Sequence, residues 1–286
     1  GLASSGPVVA RITARAVEPL PGEYAGMMVR LDGAEPQDRT PVTDPATNPL
    51  SPGKPRFNYY SMEVVQRIGY DSFCPDNGVL LALNTDGEGR NGGPNEFNCF
   101  NWVIDAHPED INMVDYVRPD GKKVMRTVAD YRQLNDALFH AGLNSGSEFE
   151  YVDTPNSLHF YVVDIHRNEQ EILSYTVGVR SLDSDVVRKA ATVSAPKTTL
   201  SISNEAIAEF IVSGDDICRL QADVKGEGWE VKLFNEIAAP GDGRDVRVPV
   251  YVRALPGCSK KAEITLTAVS ESNKSISAAA VRKVKL

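Results

Sequence analysis

Acidic side chains are concentrated in a loop-rich stretch of the sequence between residues 71 and 110. Calcium binds about six to eight oxygens from carboxylates, Asn side chains and loop carbonyls, and such a stretch supplies them. The EF-hand pattern does not apply, because Arg90 occupies the third ligand position after Asp86. The stretch predicts calcium as the candidate cofactor; the alternative is that these residues form turns and solvated surface. The candidate ligands are Asp71, Asp76, Asp86, Glu88, Asp105 and Asp110.

Histidine spacing argues against zinc chemistry. The four histidines are His107, His140, His159 and His166, and they form neither an HExxH motif nor a pair four residues apart. We expect His140 at the end of a helix, and His159 and His166 on the surface or within a sheet. The sequence therefore predicts no zinc site in this chain.

Other catalytic motifs are missing as well. The sequence has no GxSxG serine, no P-loop and no GxGxxG fingerprint, so no catalytic residue is predicted. Whether the chain is an enzyme stays open, because the members of a Ser-His-Asp triad need not be neighbours in sequence. A hydrolase would need a cleft, and the irregular stretches Asp32–Pro55 and Asn84–Asn98 are the candidates to frame it.

Aromatic residues are also clustered, and exposed aromatic rings stack on sugars and on peptide side chains. From the cluster, Tyr59, Tyr60 and Trp102 are the predicted ligand-binding residues. The alternative is that these rings belong to the core, since aromatic residues on strands often do. The full cluster is Tyr59, Tyr60, Tyr70, Phe73, Phe97, Phe100 and Trp102.

Four cysteines, none of them in a CxxC pair, allow three disulfide pairings. We favour Cys74–Cys99 and Cys218–Cys258, because each pair falls inside one predicted domain. Two disulfides would indicate an oxidising compartment, hence a secreted or cell-surface protein. The alternative is four buried free thiols. The tripeptide Asn273-Lys274-Ser275 is a single N-glycosylation sequon.

Composition narrows the class of protein. The 286 residues carry a net charge of −9, which argues against nucleic acid or an anionic membrane as a partner. No apolar run is long enough for a membrane span. The chain begins with Gly1, so we expect a processed or truncated product.

The elements that must position these side chains are mostly strands, so we predict an all-β fold with two β-sandwich domains. The first, residues 1–185, has long loops and one α-helix at Thr127–His140, where apolar residues recur at helical spacing. Ser181–Lys197 reads as a linker. The second domain, residues 195–286, has evenly spaced short strands typical of an immunoglobulin-like sandwich, with Trp229 as a core anchor.

Several segments resemble the region that follows the catalytic domain in immune-inhibitor-A-like secreted metallopeptidases of family M6. The run Asn58–Asp71 (NYYSMEVVQRIGYD) is similar to a tyrosine-rich strand of that family, and Cys74–Leu81 (CPDNGVLL) to its proline turn and next strand. The stretch Asp105–Gly121, which begins DAHPED, is similar to an HP-containing segment that ends in ADG. The similarity covers roughly residues 8–180.

The resemblance implies a non-catalytic accessory region of a secreted M6-like zinc metallopeptidase, because the family's HExxH zinc helix is missing here. Such a region would stabilise an upstream peptidase domain or target it to protein or cell-surface substrates. The alternative is a stand-alone adhesive or glycan-binding protein, secreted or attached to a cell surface. The third class that stays open is the hydrolase considered above.

Overall fold

The computed structural model describes residues 2–31, 37–38, 56–74, 76–84, 102–107, 114–117, 123–125, 137–241 and 243–286. Within these residues the chain is built almost entirely of strands, which confirms the predicted all-β fold class. The one α-helix in the described part is a single turn, α1 (Leu2–Ser5), and short 3-10 turns lie at Gly69–Asp71 and Thr154–Asn156. No helix in the described part is long and apolar enough to span a bilayer.

In the described part of the chain before residue 182 there are twelve strands. They are β1 (Val8–Thr13), β2 (Met27–Arg30), β3 (Gln37–Asp38), β4 (Arg56–Phe57), β5 (Tyr59–Val65), β6 (Gly78–Asn84), β7 (Trp102–Val103), β8 (Val114–Val117), β9 (Lys123–Met125), β10 (Glu150–Asp153), β11 (Leu158–Arg167) and β12 (Leu173–Ser181). They form four-stranded sheets of order β1-β12-β11-β10 and β2-β5-β6-β7, with β3-β4 and β8-β9 as separate pairs.

Nine further strands follow. They are β13 (Lys189–Ser194), β14 (Leu200–Ser201), β15 (Glu205–Asp215), β16 (Cys218–Lys225), β17 (Trp229–Leu233), β18 (Ile237–Ala238), β19 (Val246–Ala254), β20 (Lys261–Ser270) and β21 (Ser277–Lys285). They form a four-stranded sheet, β13-β15-β19-β17, and a five-stranded sheet, β14-β21-β20-β16-β18.

Two compact units divide the chain. One unit contains residues 1–10, 141–164 and 176–286, and the other contains residues 11–140 and 165–175. The chain passes from one unit to the other inside β1, β11 and β12, and also between residues 140 and 141. The domains predicted from the sequence, 1–185 and 195–286, are drawn differently and stay a prediction.

The sheets formed by β13–β21 pack on a common apolar core. Their sequences alternate between buried and accessible residues, and in β20 every second side chain is buried. Phe210 and Val250 enter the core from one sheet, and Leu266 and Val284 from the other. Trp229 is buried and donates its indole N–H to the Ser259 carbonyl at 2.8 Å, so the predicted core anchor is confirmed.

In the other unit, the central element is the β5–β6 pair. All seven residues of β6 are buried, which explains its apolar sequence GVLLALN. Tyr60 lies opposite Leu83 and Met62 lies opposite Leu81, so large side chains face each other across the pair. This pairing leaves Tyr60 only 1% exposed.

The predicted helix Thr127–His140 is wrong at its carboxy-terminal end. Residues 127–136 lie outside the described part, but Phe139 is extended and exchanges both backbone hydrogen bonds with Val79 at 2.9 Å. His140 is therefore not a helix-end cation; its Nε2 contacts Asp76 Oδ2 at 3.2 Å instead. The apolar residues near 138 are buried as an added strand segment, because tertiary pairing outweighs helical spacing here.

The predicted linker Ser181–Lys197 also needs correction, because it contains β13. This strand pairs antiparallel with β15, and Val193 lies opposite Val212. Ala191 and Val193 pack against the core of the β13–β21 sheets. The small and polar composition of this segment was misleading, because β13 is an edge strand whose residues are at most partly buried.

The predicted Cys218–Cys258 disulfide is absent, and both residues are free thiols. Cys218 begins β16, whereas Cys258 lies beside Gly228, beyond the far end of that strand. The length of the strand separates the two residues by roughly 20 Å, far beyond the reach of a disulfide. Cys74 is a buried thiol, and its predicted partner Cys99 lies outside the described residues.

Candidate functional site

A buried cluster of ionisable side chains lies in the unit that contains residues 141–164 and 176–286. We call it the Tyr161 network, and its core is Tyr161, His159, Glu150, Arg219 and Glu271. His159 and Tyr161 are two residues apart on β11, so they lie on the same face of that strand. Glu150 comes from the paired strand β10, Arg219 from β16, and Glu271 directly follows β20.

The Tyr161 hydroxyl is the centre of this network. It donates to Glu271 Oε2 at 2.8 Å and accepts from Arg180 Nε at 2.9 Å. Its third neighbour is His159 Nδ1, also at 2.8 Å. Tyr161 is only 1% exposed, so these three protein groups take the place of water around its hydroxyl.

Arg219 connects the carboxylates around this centre. Its Nη2 contacts Glu150 Oε2 at 2.7 Å, and its Nε contacts Glu271 Oε1 at 3.2 Å. Its Nη1 reaches the more accessible Glu236 at 3.3 Å. Lys274 adds a second cation to Glu271 Oε1 at 2.6 Å. The positive and negative charges are therefore paired, as a buried charge cluster requires.

The side chain of His159 links the Tyr161 hydroxyl to Glu150. The Tyr161 hydroxyl donates its one hydrogen to Glu271, and His159 Nδ1 lies 2.8 Å from the same oxygen. His159 Nε2 faces Glu150 Oε2 at 2.9 Å, and a carboxylate oxygen only accepts. His159 Nε2 therefore donates to Glu150, and the ring bridges Tyr161 and Glu150.

The contacts of this network shift the pKa values of its two carboxylates and its phenol. Burial opposes ionisation of Glu271, but hydrogen bonds from Lys274 and Arg219 outweigh burial and lower its pKa to about 2. Burial also opposes ionisation of Glu150, and bonds from His159 and Arg219 lower its pKa overall. Burial, with the adjacent charge of Glu271, raises the pKa of Tyr161. Tyr161 therefore stays a neutral phenol and both carboxylates stay ionised at neutral pH.

The Tyr161 network fastens strands together. Its central hydroxyl is closed to solvent, and each of its central groups already has a partner. It joins β10, β11 and β12 to β16 and to the turn after β20. The arrangement supports no attack on a substrate; it holds the carboxy-terminal sheets to the strands near residues 150–180.

A second polar anchor lies in the unit that contains residues 11–140, at the segment 66–74, which we call the Tyr70 loop. Arg15 forms a two-pronged ion pair with Asp71, from Nε to Oδ2 and from Nη2 to Oδ1, both at 2.8 Å. Asp71 is 5% exposed. The bonds to Asp71 raise the pKa of Arg15. Gln66 fixes the start of the loop by bonding Glu171 O and Leu173 N.

This anchored loop presents two aromatic side chains to solvent. Tyr70 is 90% exposed and Phe73 is 70% exposed, on either side of a turn formed by the buried Asp71 and the exposed Ser72. They are the two most exposed of the large apolar side chains in the described residues, and their closeness in sequence makes them a candidate contact surface. Because the Arg15–Asp71 pair holds the backbone between them, the two rings are presented at little further cost in conformational entropy.

The structure distributes the predicted calcium ligands among other roles. Both oxygens of Asp71 contact Arg15, Asp76 contacts Asn77 N and His140, and Asp105 Oδ1 accepts from His107 N. Asp86, Glu88 and Asp110 lie outside the described residues. Among the residues that are described, no group of three or more His, Cys, Asp or Glu side chains is arranged to hold a metal ion.

Of the three predicted ligand-binding aromatic residues, the fold excludes one. Tyr60 is buried in the β5–β6 pair and cannot contact a ligand. Tyr59 is half-buried, with the Arg30 guanidinium 5.8 Å from its ring centroid. Trp102 belongs to β7, and its side chain lies outside the described part. Among the described members of this cluster, Tyr70 and Phe73 are the most exposed, and sequence reasoning placed them in the cluster without selecting them.

Sequence reasoning missed the Tyr161 network. The signal available was the i, i+2 spacing of His159 and Tyr161 inside an apolar strand, which places both side chains on one face. Their partners could not be found in this way, because Glu271 is 110 residues from Tyr161. His159, expected on the surface or within a sheet, lies within β11 and is 6% exposed.

Comparison with known families covers almost the whole chain. Residues 1–182 match a family model described as a middle domain, and residues 203–286 match one described as a Peptidase M6-like domain. A protein of Arthroderma benhamiae named "Putative secreted metallopeptidase" is 39% identical over 311 aligned residues.

The match to this relative covers 99% of the chain and 43% of the relative, so the chain spans less than half the relative's length. The relative's name agrees with the secreted location predicted from the sequence. The M6 resemblance of residues 8–180 is confirmed by the family matches. The chain therefore belongs to the M6-like secreted metallopeptidase family, and it carries the family's middle domain and its Peptidase M6-like domain.

Proposed function

We propose that this chain is a non-catalytic accessory region of a secreted M6-like metallopeptidase, and that it targets the enzyme to protein substrates. The observation that carries the proposal is the family match along a chain without an HExxH motif. The partner is then a peptidase domain of the whole protein. A further domain is consistent with the length of the relative, which is more than twice that of the aligned region.

The Tyr70 loop supports the targeting part of this proposal. Tyr70 and Phe73 are exposed, and interface anchors are typically aromatic side chains held on a rigid base. The Arg15–Asp71 pair supplies that base. We assign the Tyr161 network to the stabilising part, since it fixes the carboxy-terminal sheets in place.

The test compares a large and a small substrate. The whole protein is prepared with Tyr70→Ala and Phe73→Ala together, and its cleavage of casein is compared with its cleavage of a short peptide. We expect KM for casein to rise roughly tenfold, since losing two aromatic anchors costs on the order of 1 to 2 kcal/mol of binding free energy. Cleavage of the short peptide stays unchanged, because it does not reach the loop.

The matched control is Phe234→Ala, which removes another exposed aromatic ring that is 47% accessible and lies outside the Tyr70 loop. It should leave both substrates unaffected. Equal losses on casein and on the short peptide would contradict a targeting role and indicate damage to the catalytic domain. An unchanged KM for casein would contradict the assignment of the Tyr70 loop.

A stand-alone adhesive or glycan-binding role is the second candidate, favoured by the same two exposed rings, because sugars stack on accessible aromatic faces. The chain is applied to a glycan array beside the Tyr70→Ala/Phe73→Ala variant. Saturable binding to a defined glycan, lost in the variant, supports this role. Binding by neither protein contradicts it.

We also propose calcium as a cofactor, carried by the acidic stretch between residues 76 and 110. Asp71 contributes nothing to this proposal, because both of its oxygens are bound by Arg15. Added calcium is expected to raise the Tm and EDTA to lower it. A Tm that responds to neither contradicts the proposal.

A further inference from the structure

The turn between β20 and β21 carries the N-glycosylation sequon of this sequence, Asn273-Lys274-Ser275. The hairpin ladder ends at the pair Val269 and Ser277. The chain then turns through residues 270–276, closed by hydrogen bonds from Ser270 N to Ile276 O and from Ile276 N to Asn273 O, both 2.9 Å. Lys274 and Ser275 are exposed, and Asn273 is half-buried. The sequon therefore lies in an ordered surface turn.

The Asn273 side chain is oriented by its own sequon. Its Oδ1 accepts from Ser275 Oγ at 2.6 Å and from Ser275 N at 3.1 Å. The backbone N–H of Asn273 is bound to Ser270 Oγ at 3.0 Å. Among these contacts with described residues, none involves the amide nitrogen Nδ2. The amide oxygen thus serves the turn, and the amide nitrogen is the side-chain atom that the fold leaves for another bond.

Lys274, the middle residue of the sequon, forms an ion pair with a buried carboxylate. Its Nζ lies 2.6 Å from Glu271 Oε1, which belongs to the Tyr161 network. A buried carboxylate therefore holds the turn, while Lys274 and Ser275 are exposed to solvent. A bulky group on Asn273 Nδ2 would displace none of the hydrogen bonds that fix the turn.

We propose that Asn273 is N-glycosylated when the chain passes through a eukaryotic secretory route, where the donor is a lipid-pyrophosphate-linked oligosaccharide. A bond forms between Asn273 Nδ2 and the anomeric carbon of the first sugar, and the bond from that carbon to the pyrophosphate oxygen breaks. The lipid pyrophosphate leaves with the electron pair, and the amide nitrogen loses one proton. Transfer precedes folding, so the structure's contribution is a turn that accommodates the product.

The glycan would cover the solvent side of the β20–β21 turn. The same turn holds Lys274, whose Nζ contacts Glu271 of the Tyr161 network. A hydrophilic group there shields the turn from proteases and restricts no strand pairing. This inference is independent of the accessory role, because it needs only secretion and the geometry of the turn.

The test expresses the whole chain with a secretion signal in yeast and measures intact mass before and after peptide N-glycosidase F. We expect most molecules to carry one glycan, and the enzyme to convert Asn273 to Asp in the peptide map. Asn273→Gln and Ser275→Ala should both abolish the modification. Ser275→Thr should retain it, because Thr keeps the hydroxyl. Asn204→Gln, which alters an Asn outside any sequon, should also retain it.

A wild-type chain that leaves the host unmodified, while a control glycoprotein from the same culture is glycosylated, would overturn the proposal. A glycan that persists in Ser275→Ala would overturn it as well. Ser275→Thr is the control for misfolding. It keeps the hydroxyl and therefore the hydrogen bonds of the turn, so glycosylation of this variant can be compared with that of Ser275→Ala.

Discussion

The Tyr161 network and the Tyr70 loop use buried charge for opposite purposes. In the Tyr161 network, every partner of the central hydroxyl is a protein side chain, and the hydroxyl is closed to solvent. In the Tyr70 loop, the Arg15–Asp71 ion pair fixes the backbone, and the neighbouring side chains of Tyr70 and Phe73 are exposed. The first arrangement joins strands, and the second presents a surface.

The difference shows how to separate structural from functional side chains in a chain without a catalytic motif. A residue whose removal leaves unpaired charges in the interior acts on stability. A residue that is exposed on a fixed backbone acts on a partner, and its removal leaves stability almost unchanged. The two regions therefore predict opposite effects of substitution.

The largest effect is expected from Glu271→Ala. It leaves Arg219 and the Tyr161 hydroxyl without their buried acceptor, so we expect the free energy of unfolding to fall by about 3 to 5 kcal/mol. Urea denaturation measures it. The matched control is Glu236→Ala, which removes a more accessible partner of the same Arg219 and should cost less than about 1 kcal/mol. Equal losses in the two variants would contradict the network.

Asp71→Asn should have the next largest effect. It removes the charged acceptor of two hydrogen bonds from Arg15, and we expect a loss of about 2 to 3 kcal/mol in the free energy of unfolding. The variant should also weaken casein cleavage by the whole protein, because the loop loses its base. Glu63→Gln is the control, since it alters an exposed partner of the same Arg15. A stable, fully active Asp71→Asn protein would show that the loop needs no anchor.

Acid should act on the Tyr161 network through Glu271. Its pKa is lowered in the folded chain, so its stabilisation is complete above the unfolded value near 4.5 and is lost as pH falls toward about 2. We expect the free energy of unfolding to decrease over this window, measured by urea titrations at several pH values. Glu271→Gln should lack this part of the decrease. An identical acid profile in that variant would place the acid sensitivity elsewhere.

The smallest effect on stability belongs to the exposed rings. Tyr70→Ala and Phe73→Ala together should change the free energy of unfolding by less than about 0.5 kcal/mol, because neither ring is buried. Thermal and urea unfolding of the double variant check this. A loss above about 2 kcal/mol would mean that the rings pack within the fold and are not a contact surface.

The strands were predictable from the sequence where burial alternates. In β20 (Lys261–Ser270) every second residue is buried, and the apolar residues of its sequence alternate accordingly. Period-two burial is a local signal, so it can be read without knowledge of the partner strand. The strand β13 was missed, because its small residues carry little of that signal.

The site could be predicted only in part, because its contacts are long-range. The segment that holds Tyr70 was recognised through its M6 resemblance, but Asp71 was interpreted as a calcium ligand. Its true partner, Arg15, is 56 residues earlier in the chain, and nothing local indicates the pairing. The predicted Cys218–Cys258 pairing was wrong for a similar reason. The sequence indicates that both residues belong to one domain, but it does not show that the length of β16 separates them.

The most direct test of the account is a side-by-side turnover assay of this 286-residue chain and the whole protein, on casein and on a short peptide, with zinc present. We predict cleavage by the whole protein and none by the chain alone, because its sequence has no HExxH motif. We also predict that an excess of the chain competes for casein and slows its cleavage, whereas the Tyr70→Ala/Phe73→Ala chain does not. Turnover by the chain alone, lost on substitution of one of its histidines, would contradict the accessory role.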